Sequence, residues 1–365
     1  MSLAPRIDRI DRNSWINGNF DFWQRWAGVT NTINTATGIS AYHTDRLLYA
    51  TSGATVKNFS IVRSTDVPTF IQSGHQSQYS YLLTCITPIA SPAAGDAVNN
   101  EYRMEGLDYA RFHGKTGYLN FWVKNSVAGT YPISVYANNP VNMTLVTSYT
   151  VNSPNTWEYK SIPLTFQSAG GYAFDNSWQI SIRLISGAIG STYVAPSINT
   201  WVSGNYLTHS SITGNIMGAA GQTIRMAQVS LTETPMAAGM GYERFGRSYA
   251  GELLACQRYY EKSYSIEVVP GTNVGVASGD SCGGRAASSN PYIDIFFKIN
   301  KRAAATVTFY AQDGTINAWL NGTQAGNRPA SVTRNSSTVK TTVSIAGAVN
   351  NGDDVYGHFT ADAEL

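Results

Sequence analysis

The string SGDSCGGR, residues 278–285, carries the residue types of an acyl-transfer site. Gly279-Asp280-Ser281-Cys282-Gly283 satisfies G-x-S-x-G, and Asp353, Asp354 and His358 follow in the Ser–Asp–His order of a hydrolase elbow. That chemistry needs a serine on a strained strand-to-helix turn, a histidine within hydrogen-bond reach and backbone donors for the oxyanion. Here the residues read as a Gly/Ser hairpin loop followed by more strand, and too little chain remains for an α/β-hydrolase sheet. Glycan hydrolysis would need two carboxyl groups about 5–10 Å apart. Glu101, Glu105, Asp108 and Asp175 are available, but no spacing singles out a pair. The five histidines lack metal-ligand spacing, and Cys85, Cys256 and Cys282 form no CxxC pair. The expectation is a protein that is not an enzyme and has no cofactor and no metal ligand set.

Glycan recognition asks for different residues. An exposed ring stacks on the apolar face of a sugar, while Asn, Gln or Asp hold its hydroxyl edge. Trp201, Tyr206 and Tyr193 lie in a long polar segment, residues 186–222, and are the first candidates for such contacts. Their alternative role is packing, either under the folded-back loop or against a neighbouring subunit. Trp122 falls on the polar phase of YLNFWVK, so it either lines the open face of a sheet or packs under a loop.

The elements that must position these residues are strands. In YLNFWVK, Leu119, Phe121 and Val123 alternate with polar or outward residues; Ile180, Ile182 and Leu184 do so in WQISIRLI, and Ile293, Ile295, Phe297 and Ile299 in YIDIFFKI. Period-two alternation sends one set into a core. Gly, Asn, Pro and Ser clusters separate the strands, and no strand–helix–strand rhythm appears. The fold class expected is all-β: two antiparallel, jelly-roll-like β-sandwich domains joined by a short helical connector. The connector is YAGELLACQRYYEK, residues 249–262, where Tyr249, Leu253, Cys256 and Tyr260 share one helical face. The divisions expected are an N-terminal arm at 1–14, a first sandwich at 15–234, a linker with the helix at 235–262 and a second sandwich at 263–365.

The chain has 365 residues, 13% charged and 12% aromatic, with a formal net charge of +2. No basic or acidic block suggests nucleic-acid binding, and no apolar run suggests membrane insertion. The opening MSLAPRIDRIDRNSW resembles no export signal.

Five stretches in order resemble modules common in bacteriophage tail and tail-fibre proteins. They are INGNFDFWQRW (16–26) with YHTDRLLY (42–49), NTWEYKSIPLTF (155–166), IRMAQVSLTE (224–233), YERFGRSYAGELLACQRYYEK (242–262) and HFTADAEL (358–365). The resemblance implies a virion structural protein whose first domain is a carbohydrate-binding-type jelly roll and whose second is a small β-sandwich. It also implies partners: other virion proteins, a host surface glycan, and further copies of the chain, most simply a trimer. Such a protein is made in the bacterial cytoplasm and ends in the virion. Alternatives within the resemblance are a head fibre, decoration or tail-tip connector protein with no glycan ligand, and a glycan-degrading spike. Many sugar-binding jelly rolls hold calcium near the first strand. Asn17 and Asp21 are the matching residues, but the last strand, Met226-Ala227-Gln228-Val229, lacks the acid, so calcium is not expected.

Overall fold

The computed structural model describes residues 13–138, 140–246, 248–275, 280–334 and 337–365. The proposed arm at 1–14 lies almost wholly outside the described residues, as do Ser278 and Gly279 of the SGDSCGGR string.

The first part of the chain runs through β1 (Asn31–Thr35), β2 (Ile39–Thr44), β3 (Leu47–Ser52), β4 (Lys57–Ser64), β5 (Ser80–Thr87), β6 (Ala97–Glu105), β7 (Thr116–Asn125) and β8 (Gly129–Ala137). It continues through β9 (Met143–Val151), β10 (Glu158–Thr165), β11 (Trp178–Gly187), β12 (Val194–Ala195), β13 (Trp201–Ser203), β14 (Thr208–His209) and β15 (Thr223–Thr232). Two sheets result, ordered β1-β4-β5-β15-β7-β10 and β13-β9-β8-β11-β6-β3-β2, while β12 and β14 form a small parallel pair. Every other strand pairing is antiparallel, and the fold is an all-β sandwich as the alternation predicts.

The inward phase of each strand builds the core. Leu119, Phe121 and Val123 of β7, Ile180 and Ile182 of β11 and Ile133 and Val135 of β8 are fully buried. At about 25 cal/mol per Å² of apolar area, each such side chain contributes roughly 1.5–3 kcal/mol.

The segment around Asn17 and Asp21, expected to hold a first strand, is instead a set of turns at residues 16–19 and 24–28 tucked against the sandwich. Its Asn-Gly pair explains why. Asn17 sits in the left-handed region (φ 61), and its amide takes over strand-like bonding by donating to the Phe22 and Asp45 carbonyls and accepting from the Phe22 N–H. A Cβ on Gly18 would lie 1.8 Å from the Val229 carbonyl oxygen, so only glycine lets this turn approach β15. Trp15 stacks on Tyr102 with centroids 4.0 Å apart, and Trp23 is fully buried.

The connector is a helix over Tyr249–Gln257 only; Tyr260–Lys262 is a strand, β16. The expected stripe is therefore cut short. The buried positions are Glu252, Cys256 and Gln257, with Tyr249 exposed and Leu253 half-buried. Ser248 caps the start by accepting from the Gly251 N–H at 3.0 Å, and Gly251 lets Gly246 pack closely, since a Cβ there would meet the Gly246 oxygen at 2.3 Å. Glu252 is buried because it closes two loop amides, Asn17 N–H and Gly246 N–H (2.8 Å for the latter). Burial pushes its carboxyl up to about 7, against the lowering effect of those two bonds. The helix belongs to the first core through Cys256 and the adjoining Tyr259.

The second part contains β16, β17 (Cys282–Arg285), β18 (Tyr292–Phe296), β19 (Thr306–Tyr310), β20 (Ala318–Asn321), β21 (Gly326–Arg334), β22 (Lys340–Ile345) and β23 (Asp354–Asp362). Strand β23 is the spine, pairing antiparallel with β16 and β17 on one edge and β19 and β20 on the other. A separate core gathers around Trp319, Phe309, Val343 and Val355. As predicted, Ile295 and Phe297 face inward, while Tyr292 and Phe296 are exposed.

The two parts are locked by the last residues. Arg46, 1% exposed, pairs with Glu364 and stacks over Tyr259 at 3.4 Å. Arg25 reaches Asp362 at 3.0 Å, and the Leu365 backbone oxygen accepts from Tyr42 Oη at 2.9 Å and Arg103 Nη1 at 2.6 Å.

Candidate functional site

The outward phase of β6, β11 and β8 meets on one face of the second sheet. Ser181 of β11 lies opposite Arg103 of β6 and opposite Tyr136 of β8, and Arg183 lies opposite Ser134. Asn99 and Glu101 continue the row along β6. Residues from the long 186–222 segment, Tyr193, Asn205 and Leu207, rise over this face and turn it into a groove of about 280 Å³. Trp178 and Tyr136 flank it.

The polar groups in the groove are tightly arranged. Glu101 receives Arg103 Nε at 2.9 Å and Arg183 Nε at 3.4 Å. Burial alone would raise its carboxyl pKa; the Arg183 and Arg103 guanidiniums outweigh that and hold it below the usual range. Arg183 also donates to Asn205 Oδ1 at 2.6 Å, tying the loop to the sheet. The guanidinium of Arg103 sits 3.9 Å from the Trp178 ring centroid and that of Arg183 4.9 Å from the Tyr136 ring. Each cation thus fixes one aromatic side chain. Two donors remain unused: Trp178 Nε1 and Ser52 Oγ line the groove, are shielded from solvent and have no hydrogen-bond partner. A buried donor without a partner is uncommon and is normally completed by water or ligand.

One carboxylate, Glu101, lines this groove, and its two arginines keep it ionised. Glycan hydrolysis by paired acids needs a second, protonated carboxyl that the groove lining does not supply. Glu105, on the same phase of β6, does not line the groove and is held by Arg258 at 2.8 Å.

Among the sequence candidates, Tyr193 lines the groove, half-buried. Tyr206 is half-buried against a small cluster with Val146, Ala195 and Ile212, and its carbonyl accepts from Arg183 at 3.3 Å. Trp201 is half-buried at the edge strand β13, and its Nε1 donates across to the Thr165 carbonyl at 2.7 Å. Trp122 is 6% exposed, covered by Trp157 and Tyr159 on the opposite face of the sandwich, so it offers no open ring. Sequence reasoning missed Trp178, Tyr136, Arg103 and Arg183. The available signal was the outward phase of WQISIRLI, which holds Arg183, and of β6, where Glu101 and Arg103 stand at alternate positions; Trp178 shares the phase of Ile180 and is displaced by a register shift between the two, which alternation does not report.

The other chemical candidates dissolve into local structure. Cys282 begins strand β17 rather than a strand-to-helix turn. The Asp353 carboxylate accepts from Asn321 at 2.8 Å and from Gln324 at 2.5 Å, and His358 pairs with Ser263 Oγ at 3.1 Å. Asp21 is held by Arg244 at 2.9 Å, and the Asn17 side chain is consumed by its turn. Among the described residues no group of three or more His, Cys, Asp or Glu side chains could hold a metal ion, and no helix is long and apolar enough to cross a membrane.

No family model and no curated protein matches the chain. Solved carbohydrate-binding modules align with it at low similarity. The TmCBM61 module in complex with β-1,4-galactotriose aligns at 10% identity and a TM-score of 0.30, over 61% of this chain and 99% of that one. The CBM22-1 xylan-binding domain of Paenibacillus barcinonensis Xyn10C aligns at 9% and 0.27, over 57% and 95%. The family 11 module of Clostridium thermocellum, in complex with a β-1,3-1,4-mixed-linked tetrasaccharide, aligns at 11% and 0.27, over 55% and 98%. These are likenesses to β-sandwich modules at levels that say nothing of ligand.

Proposed function

We propose that the chain is a non-catalytic glycan-binding protein, working in a bacteriophage virion as a tail-fibre or receptor-binding component. The observation that supports the glycan reading is the groove of β6, β11 and β8. It combines two fixed aromatic side chains, Trp178 and Tyr136, with an ionised Glu101, amides at Asn99 and Asn205, and the unused indole N–H of Trp178. A sugar ring supplies the matching surfaces: C–H groups for the aromatic walls, hydroxyl donors for Glu101 and a hydroxyl or ring-oxygen acceptor for the indole. The contacts are those of a binder, since two guanidiniums rob the only groove acid of a proton to give.

The virion setting rests on the ordered sequence resemblance. On that reading the chain is made in the host cytoplasm, assembles with other virion proteins as a homotrimer and adheres through many copies. A single saccharide contact of about millimolar strength gains on the order of 10²–10⁴-fold from such multivalency.

A glycan array with the intact protein tests the binding reading. Specific signals that disappear with Trp178→Ala are the expected result. An empty array, or signals indifferent to that change, would overturn it and favour a purely structural part of the particle. Sedimentation equilibrium tests the trimer.

A further inference from the structure

We infer that the second domain carries its own binding site for a neutral saccharide, in the cleft between β17 and the turn after β19, independent of the groove on the first sandwich. The observation behind it is Gln312. This side chain is 3% exposed, and neither its Oε1 nor its Nε2 has a hydrogen-bond partner. An amide that is both buried and wholly unpaired is costly, and native folds keep such a group where something else completes it. Gln312 lines a cleft of about 510 Å³ with Gly283, Gly284, Arg285, Asp354 and Tyr356.

The strand pairing explains how the cleft arises. In the β17–β23 ladder Gly283 lies opposite Tyr356 and Arg285 opposite Asp354. The two glycines place no side chain in the opening. At Gly283 none would fit, since a Cβ there would lie 2.6 Å from the Tyr356 Cβ. This gives the Gly-Gly of the SGDSCGGR string a role that catalysis does not.

The lining selects the ligand by chemistry. A carboxamide offers one acceptor and two donors at a fixed spacing, which suits a pair of neighbouring hydroxyls or an acetamido group. At the mouth, Arg285 and Asp354 are largely exposed and 4.0 Å apart, and Arg285 Nε also donates to the Gly352 carbonyl at 3.0 Å. Their charges cancel, which disfavours anions and cations alike. An apolar ligand would leave Gln312 unpaired. The half-buried Tyr356 provides an apolar wall for a sugar's C–H face. A cleft of this volume lies within the range of small-molecule sites, which runs from roughly 300 to 1,000 Å³.

The test uses the full chain with three probes, glucose, galactose and N-acetylglucosamine, followed by saturation-transfer NMR and by soaking crystals. At least one probe should bind saturably, at about millimolar strength, with its density against Gln312. Gln312→Met, nearly the same shape without the amide, should weaken binding at least about tenfold while the melting temperature stays level or rises, because an unpaired amide has been removed. Arg285→Ala, at the exposed rim, should weaken it a few-fold with no effect on folding and decides the matter if the methionine variant misfolds. Trp178→Ala should leave this binding intact, which separates it from the groove. Failure of all three sugars to bind, binding that survives Gln312→Met, binding abolished by Trp178→Ala, or crystals showing an ordered water alone on Gln312 would each overturn the inference.

Discussion

The two outer faces of the first sandwich carry matched aromatic groups with opposite fates. On the sheet containing β7, Trp122 lies beneath Trp157 and Tyr159, and the Trp157 indole N–H donates to Asp66 Oδ1 at 3.0 Å. Asp66 in turn holds Lys124 at 2.8 Å and Arg225 at 3.3 Å. Asp66 thus gathers the Trp157 indole N–H and two cations over the buried Trp122 ring. On the sheet containing β11, Trp178 is held by Arg103, is half-buried and lines a groove, and its indole N–H, shielded from solvent, has no partner. Trp122 reaches its face by simple alternation, and Trp178 reaches the other across a register shift between Trp178 and Ile180. The difference lies in whether a neighbouring segment closes over the ring with a satisfied donor or stands back from it. An aromatic patch that its own chain closes over stabilises; one left open along a groove is equipped to bind.

The largest effect that would break this contrast concerns stability. Trp122→Ala should cost about 3–5 kcal/mol, as for other buried tryptophans, with groove affinity unchanged in the protein that still folds; urea denaturation beside a glycan titration reads both. Trp178→Ala should do the reverse. Affinity for an array-identified glycan should fall at least about tenfold, equal to about 1.4 kcal/mol, while the denaturation midpoint moves little. If the two variants behaved alike, the distinction between the faces would be lost.

Acid sharpens the contrast further. Glu101 has its carboxyl pKa lowered in the folded protein from a reference of 4.5, so its contribution to stability is present above that value and is lost as pH falls through the folded value. Glu252 behaves oppositely: with its pKa raised from 4.5 to about 7, its contribution is fully present below 4.5 and is lost as pH rises through about 7. Hydrogen exchange should therefore show the amides of Asn17 and Gly246, which Glu252 accepts from, less protected at pH 8 than at pH 5 relative to the sandwich core. Groove affinity should decline only at the acid end. The smallest expected effect is at Trp201, whose indole is already paired with Thr165. Trp201→Ala should leave groove affinity within about twofold, since it removes an edge contact outside the groove; isothermal titration checks it.

Much of the fold was legible from local pattern. Leu119, Phe121 and Val123 alternate because a strand exposes successive side chains to opposite faces, and that rule needs no tertiary knowledge. The connector was legible only in part. Its stripe from Tyr249 to Tyr260 obeys helical spacing, but pairing with β23 drew Tyr260 into strand β16, and Glu252 was buried by two distant amides. Spacing along one segment cannot report a hydrogen-bond demand raised elsewhere. The turns at residues 15–28 escaped for a similar reason, because their bonds run to residues 44 and 45 and to β15.

By itself, then, the amino-acid order determined which residues face inward and where strands are separated, both of which depend on near neighbours along the chain. Only the tertiary structure decided which outward aromatics are covered. Trp122, Trp178 and Trp201 look alike in sequence, and each was assigned its role by what packs over it. That is set by strand register and by the path of the 186–222 segment, which bring together residues far apart in the chain.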